Sequence, residues 1–320
     1  MQGRPHRGGA RGDNTQMARV YVTPAHTGNA LERLCAEHDV TIWDGELPPP
    51  PERLRAAVAD VEGLLCLLTE RVDRELLDAA PRLRAIANYA VGTDNIDLAL
   101  TRERGIPVGV TPDVLTEATA DLAFALLLAA ARSLFGAVAD ALAGRWRTWE
   151  PAGWLGADVH GAALGIVGFG RIGRAVARRA EGFSMTVRST ADTPLDELLA
   201  TSDFVSLHCP LSAATRHLID AAALRRMRPT AILVNTARGG VVDQAALLDA
   251  LREGVIAGAA IDVTDPEPPP PGDPVYSAPN LIVAPHIGSA TRSARARMTE
   301  LSVENLLAAL AGRPMPHQAA

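Results

Sequence analysis

The stretch "ALGIVGFGRIGRAVARRA", residues 163–180, reads as an apolar strand, a glycine-rich turn and a helix. Gly168, Gly170 and Gly173 stand in G-x-G-x-x-G spacing. Glycines at these places permit a tight turn, close approach of backbone to a pyrophosphate, and close packing of helix on strand. The pyrophosphate would face the free N–H groups and positive dipole end of the helix. Because glycines cluster in many turns, the spacing alone says little. Strand, turn and helix in register are what the motif requires, and all three are present. The stretch predicts a dinucleotide-binding α/β domain.

Outward from it, strand and helix patterns alternate. Upstream, "RVYVTP", "VTIWD", "GLLCLL", "LRAIANYA" and "GIPVGV" read as strands. "ALERLCAEH", "ERLRAAVADV" and "DRELLDAA" read as the helices between them. Such alternation implies βαβ units and a parallel sheet. A long helix is expected from Glu117 to Phe135, followed by the tryptophan-bearing "GRWRTWEPAGWLG". The last helix, "SARARMTELSVENLLAALAG", places Met298, Leu301, Leu306 and Leu310 on one side and is expected to fold back onto the first domain. The proline runs at 48–51 and 268–271 are expected as loops. Two doubly wound parallel-sheet domains follow. A flavodoxin-like one comprises residues 17–112 and 293–320, and a Rossmann-like dinucleotide-binding one residues 113–292.

Three strands of the second series end in polar residues. "AILVNTARGG" leads to Arg238, "AGAAIDVTDPEP" to Asp262 and Glu267, and "NLIVAPHIGS" to His286. Singly, each has an ordinary explanation: a surface charge, a solvated acid, a loop histidine capping backbone. Together they follow the carboxyl ends of strands in a parallel sheet, the edge where ligands bind in open α/β folds. An Arg to clamp a carboxylate, a His to move a proton and a Glu to orient that His form a coherent set.

The chain has 320 residues, 48% of them hydrophobic and 21% charged, with a formal net charge of −6. That is a globular balance, and it argues against a nucleic-acid surface. Cys35, Cys66 and Cys209 are far apart, which disfavours a disulfide framework and a thiolate metal site and fits a cytoplasmic setting. The apolar run "AFALLLAAA" at 123–131 is too short to span a bilayer. Residues 1–16, rich in Gly and Arg, are expected as a disordered leader.

With "VGTDNIDLAL", "GIPVGVTPDVLTEATADLAFALLLAAAR", "LGIVGFGRIGRAVARRAEGF", "SDFVSLHCPLSAATRHLI", "ILVNTARGGVVDQAAL", "GAAIDVTDPEP" and "PHIGSAT", the chain resembles the D-isomer-specific 2-hydroxyacid dehydrogenases over nearly all of residues 17–316. Within them it is most similar to glyoxylate/hydroxypyruvate reductases. The resemblance implies that Arg238, Glu267 and His286 are catalytic. It implies that Leu68, Thr69, Val91 and Gly92, with Arg238, hold the substrate. On the cofactor side it implies Gly168, Phe169, Gly170, Arg171, Ile172 and Gly173, then Cys209, Pro210, Thr215, Thr236, Ala237, Arg238, Asp262, His286 and Gly288. Asp262 would meet the nicotinamide carboxamide. The helix and arm over 117–154 would form a homodimer contact, with Trp146, Trp149 and Trp154 as candidates to reach a partner's site or simply to pack. A 2-oxo acid would be reduced by hydride transfer, with His286 protonating the developing alkoxide. A dinucleotide-sensing, co-repressor-like scaffold is the reading from another class. A 2-ketogluconate- or phosphoglycerate-type dehydrogenase is the alternative within the family.

The ribose-reading segment departs from the family. In "MTVRSTADTPLDELL" (185–199) the usual NAD-type acid falls at Ala191, with Asp192 one place along. Arg188, Ser189 and Thr190 resemble the cluster of NADP-using relatives, which favours NADP over NAD. Relatives also place a helix and a short strand before "LDELL". A parallel crossover needs about a dozen residues, so Arg188 to Asp203 suffices for one only. The sheet is expected to lack a strand there.

Overall fold

Short runs of two to four residues, most of them β-branched or aliphatic and too short for stable helices, form the strands of a first parallel sheet. They are β1 (Arg19–Val22), β2 (Asp39–Ile42), β3 (Gly63–Cys66), β4 (Ala85–Asn88) and β5 (Val108–Gly109). The computed structural model describes residues 17–23 and 29–319, so the expected leader lies outside the described residues. The strands stand in the order β2-β1-β3-β4-β5, and every pairing is parallel. The sequences GLLC of β3 and AIAN of β4 are buried at every position, as central strands covered on both faces require. Helices α1 (Ala30–Glu37), α2 (Pro51–Ala57), α3 (Arg74–Ala79) and α4 (Leu98–Glu103) make the crossovers. Asp73 and Asp97 cap α3 and α4 by accepting from Leu76 N and Leu100 N.

The second sheet comprises β6 (Ala163–Val167), β7 (Thr186–Ser189), β8 (Phe204–Leu207), β9 (Ile232–Asn235), β10 (Gly258–Ile261) and β11 (Leu281–Val283). Their order is β11-β10-β9-β8-β6-β7, all parallel. Helices α5 (Thr116–Ala131), α6 (Leu134–Leu142), α7 (Arg171–Glu181), α8 (Leu195–Thr201), α9 (Ala221–Arg226) and α10 (Gln244–Arg252) belong to it. One core joins Leu164 and Ile166 of β6 to Phe124 and Leu127 of α5 and Ala175 and Val176 of α7. Another joins Val167 and Leu207 to Leu198, Leu224, Leu247 and Leu251 on the opposite face.

The chain divides into two compact units, one formed by residues up to Thr111 with those from Met298 onward, the other by Pro112–Arg297. The second boundary falls inside the last helix, α11 (Arg292–Leu310). Met298, Leu301, Leu306 and Leu310 of α11 are buried, but so are Val303, Leu307, Ala308, Thr299, Ser302 and Asn305. Its interior part is covered on most of its circumference rather than along one stripe.

Three expectations need correction or detail. The single helix from Glu117 to Phe135 is two helices, α5 and α6, bent by 65°. Ser133 adopts a left-handed conformation, φ +46°, which a continuous helix cannot contain. The proline run at 48–51 is not wholly a loop, because Pro51 begins α2, where its missing N–H costs no hydrogen bond. The missing strand is borne out: β7 is the edge of its sheet, and Thr190–Pro194 turn directly into α8. No single helix is long and apolar enough to cross a membrane among the described residues.

Candidate active site

The sheet of the second unit puts its loops on one edge because all six strands run the same way. The β6–α7 turn comes first. Gly168 has φ +92°, and a Cβ there would lie 2.5 Å from Cys209 N, in the loop after β8. At Gly173 a Cβ would lie 2.3 Å from Gly168 O. Gly170, the N-cap of α7, has no side-chain cap, and a Cβ there would meet nothing within 4 Å. Two glycines therefore serve packing, and the third leaves open space before uncapped helix amides. That is the arrangement a pyrophosphate needs. Phe169 lies under the Arg174 guanidinium at 5.6 Å, and Ile172 packs against the core of α5 and α7. Arg171 pairs with Asp113 at 2.6 Å.

The loop after β8 carries His208, Cys209, Pro210 and Thr215. Thr215 Oγ1 donates to Pro210 O (2.6 Å) and accepts from Ser212 N (2.8 Å), which shapes the loop. Cys209 is buried, and burial pushes its thiol pKa up. His208 was not singled out in the sequence. Its Nε2 bonds Ser206 Oγ at 2.8 Å, while its Nδ1 is buried with no hydrogen-bond partner. Desolvation lowers its pKa to about 4. Across the β8–β9 pairing Leu207 stands opposite Asn235, so His208 and Thr236 follow at the same carboxyl edge. Thr236 Oγ1 is likewise buried and unpartnered. Two orphaned polar atoms on adjacent strand ends fit a polar ligand lying across them. A dinucleotide at this edge suits both them and the uncapped turn.

Arg238 follows β9, and Asn235 fixes its loop. Asn235 Nδ2 donates to Arg238 O (2.9 Å), and Asn235 Oδ1 accepts from Ala237 N (3.0 Å). At Gly239 the backbone presses so closely on the loop after β10 that a Cβ would lie 1.9 Å from Thr264 O. Glu267 is in that second loop and accepts from Thr264 N at 3.2 Å through Oε2. Its Oε1 makes a short contact with His286 Nδ1. The His286 and Glu267 side chains are 23% and 31% exposed, so the pair is open to a ligand without being fully solvated. With Nδ1 held by a carboxylate, Nε2 is the nitrogen left for proton transfer. His286 itself sits at φ +53° and donates its backbone N–H to Asp262 O.

Asp262 is 1% exposed. Its two oxygens accept from Ile287 N (2.8 Å) and Gly288 N (2.7 Å), so it organises the loop bearing His286. Burial raises its pKa, and the two N–H bonds act the other way. Thr119 of α5 donates to Gly288 O at 3.2 Å from the other side.

At the adenosine end, Thr190 Oγ1 accepts from Gly168 N at 3.0 Å. Asp192 Oδ1 accepts from Ser189 N (3.2 Å), Ser189 Oγ (3.3 Å) and Thr193 Oγ1 (3.1 Å). These bonds, the one from Ser189 N foremost, lower the Asp192 pKa. Arg188 is paired in register with Gly165, whose Cβ would meet Leu198 of α8, so Arg188 lies on the α8 face of the sheet.

In the first unit, Thr69 Oγ1 donates to Glu70 Oε1 at 2.8 Å. The buried Glu70 also takes Thr23 Oγ1 (2.9 Å) and Leu67 N (2.5 Å) through Oε2. Asn88 Nδ2 donates to Gly92 O (2.8 Å), and Asn95 Nδ2 to Leu67 O (3.1 Å) and Glu70 O (3.0 Å). The loops of Leu68–Thr69 and Val91–Gly92 are therefore laced together. Asn88, Asn95 and Glu70 were missed because a polar residue at a strand end has no periodic signature.

α6 has no buried residue. Leu134, Phe135, Val138 and Leu142 on it are exposed, as are Trp146, Trp149, Trp154 and Leu155 of the arm that follows. Trp154 lies against Gly136, where a Cβ would be 2.8 Å from its ring. Eight large apolar side chains exposed on one helix and the arm after it stand apart from the scattered single ones ordinary on a protein surface.

Residues 124–288 match the model of the D-isomer specific 2-hydroxyacid dehydrogenase, NAD binding domain. A glyoxylate reductase of Korarchaeum cryptofilum is 47% identical over 314 residues, covering 93% of this chain and 95% of its own. One from Thermococcus gammatolerans is 48% identical over 316 residues, covering 93% and 94%. Among solved structures, a Thermus thermophilus protein superposes with a TM-score of 0.89 at 48% identity, covering 94% of this chain and 100% of its own. An NADPH-dependent glyoxylate/hydroxypyruvate reductase of Sinorhizobium meliloti, solved with NADP and malonate, gives 0.83 at 33% identity, covering 95% and 97%. Fold, edge geometry and these likenesses agree: the chain belongs to the D-isomer specific 2-hydroxyacid dehydrogenases.

Proposed function

We propose that the protein reduces a short 2-oxo acid, glyoxylate or hydroxypyruvate, to the 2-hydroxy acid with NADH or NADPH. The observation that carries this reading is the His286 Nδ1–Glu267 contact on the same strand-end edge as Arg238 and the uncapped β6–α7 turn. The reduced nicotinamide, when bound, supplies a hydride to the carbonyl carbon. His286 Nε2 gives its proton to the carbonyl oxygen as negative charge develops there, and Glu267 keeps Nδ1 and the ring plane fixed. Arg238 pairs with the substrate carboxylate, and a guanidinium suits that planar group in two hydrogen bonds. Leu68, Thr69, Val91 and Gly92 are proposed as further substrate contacts. His208, Thr236 and the amides at Gly170–Ile172 would hold the dinucleotide, while Asp262 sets the shape of the loop carrying His286.

The exposed apolar face of α6 and the tryptophan arm supports a homodimer through residues 117–154. Three free cysteines are consistent with a cytoplasmic protein. The test is an initial-rate panel of NADH and NADPH, each with glyoxylate, hydroxypyruvate, 2-ketogluconate and pyruvate. Turnover with glyoxylate or hydroxypyruvate above the other acids is expected. No oxidation of either nucleotide with any acid would return the protein to the scaffold reading. In Arg238→Ala, a raised KM together with a lowered kcat is expected, since part of the interaction is made only in the transition state, as charge develops on the carbonyl oxygen.

A further inference from the structure

The second unit departs from a full dinucleotide fold at one place. A complete fold of this kind has the strand order 3-2-1-4-5-6, with strand 3 outside strand 2. Here β6 and β7 take the places of strands 1 and 2, and β7 is the edge. Thr190 N donates inward to Ile166 O of β6, so the preceding amide, Ser189 N, points to the open edge. Asp192 Oδ1 accepts it. A carboxylate thus takes the hydrogen bond that a neighbouring strand would otherwise accept.

The polar groups of Ser189, Thr190 and Asp192 are engaged within the segment and the glycine turn. Arg188 lies on the α8 face, not at the strand end, and has no hydrogen-bond or ion-pair partner among the described residues. Ser189 is buried, giving its hydroxyl proton to Asp192 and accepting from Ala191 N. Thr190 Oγ1 serves Gly168 N, and Ala191, in the place of the usual acid, has no polar group. Resting on the reading of this unit as the cofactor domain, we infer that the site does not discriminate at the adenosine ribose. NADH and NADPH bind it with similar affinity, through the pyrophosphate turn and the edge beyond it. Asp192 acts on the sheet edge and not on the ribose.

The experiment measures Kd for NADH and NADPH by nicotinamide fluorescence, without substrate. The two values should agree within about tenfold, because the exposed Asp192 charge acts on a 2′-phosphate across solvent and salt. Asp192→Asn keeps an acceptor oxygen for Ser189 N. It should preserve Tm and bring the two Kd values closer. Asp192→Ala should lower Tm while leaving the ratio of the two Kd values within the same bound. Arg188→Ala should change neither Kd. A preference beyond about tenfold for either nucleotide overturns the inference, as does a selective loss of NADPH binding in Arg188→Ala of that size. If neither nucleotide binds while the protein is folded, the cofactor reading itself fails. That result is separable from a one-sided preference, which leaves the reading standing.

Discussion

Acidification should destabilise this protein through one buried histidine. His208 is held neutral, with a pKa of about 4 against an ordinary 6.5, because its ring is desolvated and its Nδ1 has no partner. Its folded pKa lies below its unfolded one. Above about pH 6.5 both states are neutral, and His208 adds no pH dependence. As pH falls from there toward about 4, the unfolded chain takes up a proton that the folded chain refuses, and stability drops at ~1.4 kcal/mol per pH unit. Between about pH 7.5 and about pH 5 the loss from this residue is ~2 kcal/mol. At an m-value of ~3 kcal/mol/M, the urea midpoint would move by ~0.7 M. The assay is urea unfolding of wild type and His208→Asn at the two pH values. The raised pKa of Asp262 has the opposite sign, since its ionisation is disfavoured in the folded state and its contribution improves on acidification. His38, lowered chiefly by burial, has the same sign as His208. Both are common to the two proteins and cancel in the comparison. His208→Asn should therefore lose less stability on acidification than wild type, by ~2 kcal/mol. Equal losses in the two proteins would show that His208 titrates normally and that its surroundings are wet.

His286→Ala should reduce kcat by roughly 10²–10⁴-fold, the usual share of a positioned acid, with the Kd for NADH unchanged. Near-normal turnover would remove His286 from that role. Gly170→Val should weaken dinucleotide binding with little change in Tm, since its Cβ position faces open space, whereas Gly168→Val should lower Tm through its φ of +92° and its contact with Cys209. Equal thermal losses would contradict this division of labour between the glycines. Phe135→Asp and Val138→Asp together should shift the protein to a monomer in analytical ultracentrifugation while leaving the far-UV circular dichroism intact.

Much of this arrangement can be read from residue order, and the remainder fails for identifiable reasons. Parallel strands buried on both faces announce themselves as short apolar runs, and the residue after each run lands on the ligand edge. The meeting of Glu267 and His286 was legible in this way, and Arg238 follows a neighbouring strand of the same sheet. The truncation at 190–194 was legible from length alone, since a crossover cannot be shorter than its helix. The break at Ser133 was not, because the apolar pattern continues through it and a left-handed serine carries no sequence signal. Asn88, Asn95, Glu70 and His208 act through hydrogen bonds that depend on which loops meet, and residue spacing does not encode that. Which face Arg188 takes was not legible either, because it depends on the register of β7 on β6.

Gly239 bears on how this active site could be redesigned. With 1.9 Å between a Cβ there and Thr264 O, the segment bearing the arginine and the segment bearing the glutamate are fitted to each other as one casting. A library that varies residues 237–240 would shift the loop bearing Glu267 together with the loop bearing Arg238, so the two proposed roles could not be tuned apart. Leu68, Thr69 and Val91, the proposed substrate contacts, lie outside that backbone fit, and diversity placed there would leave it intact.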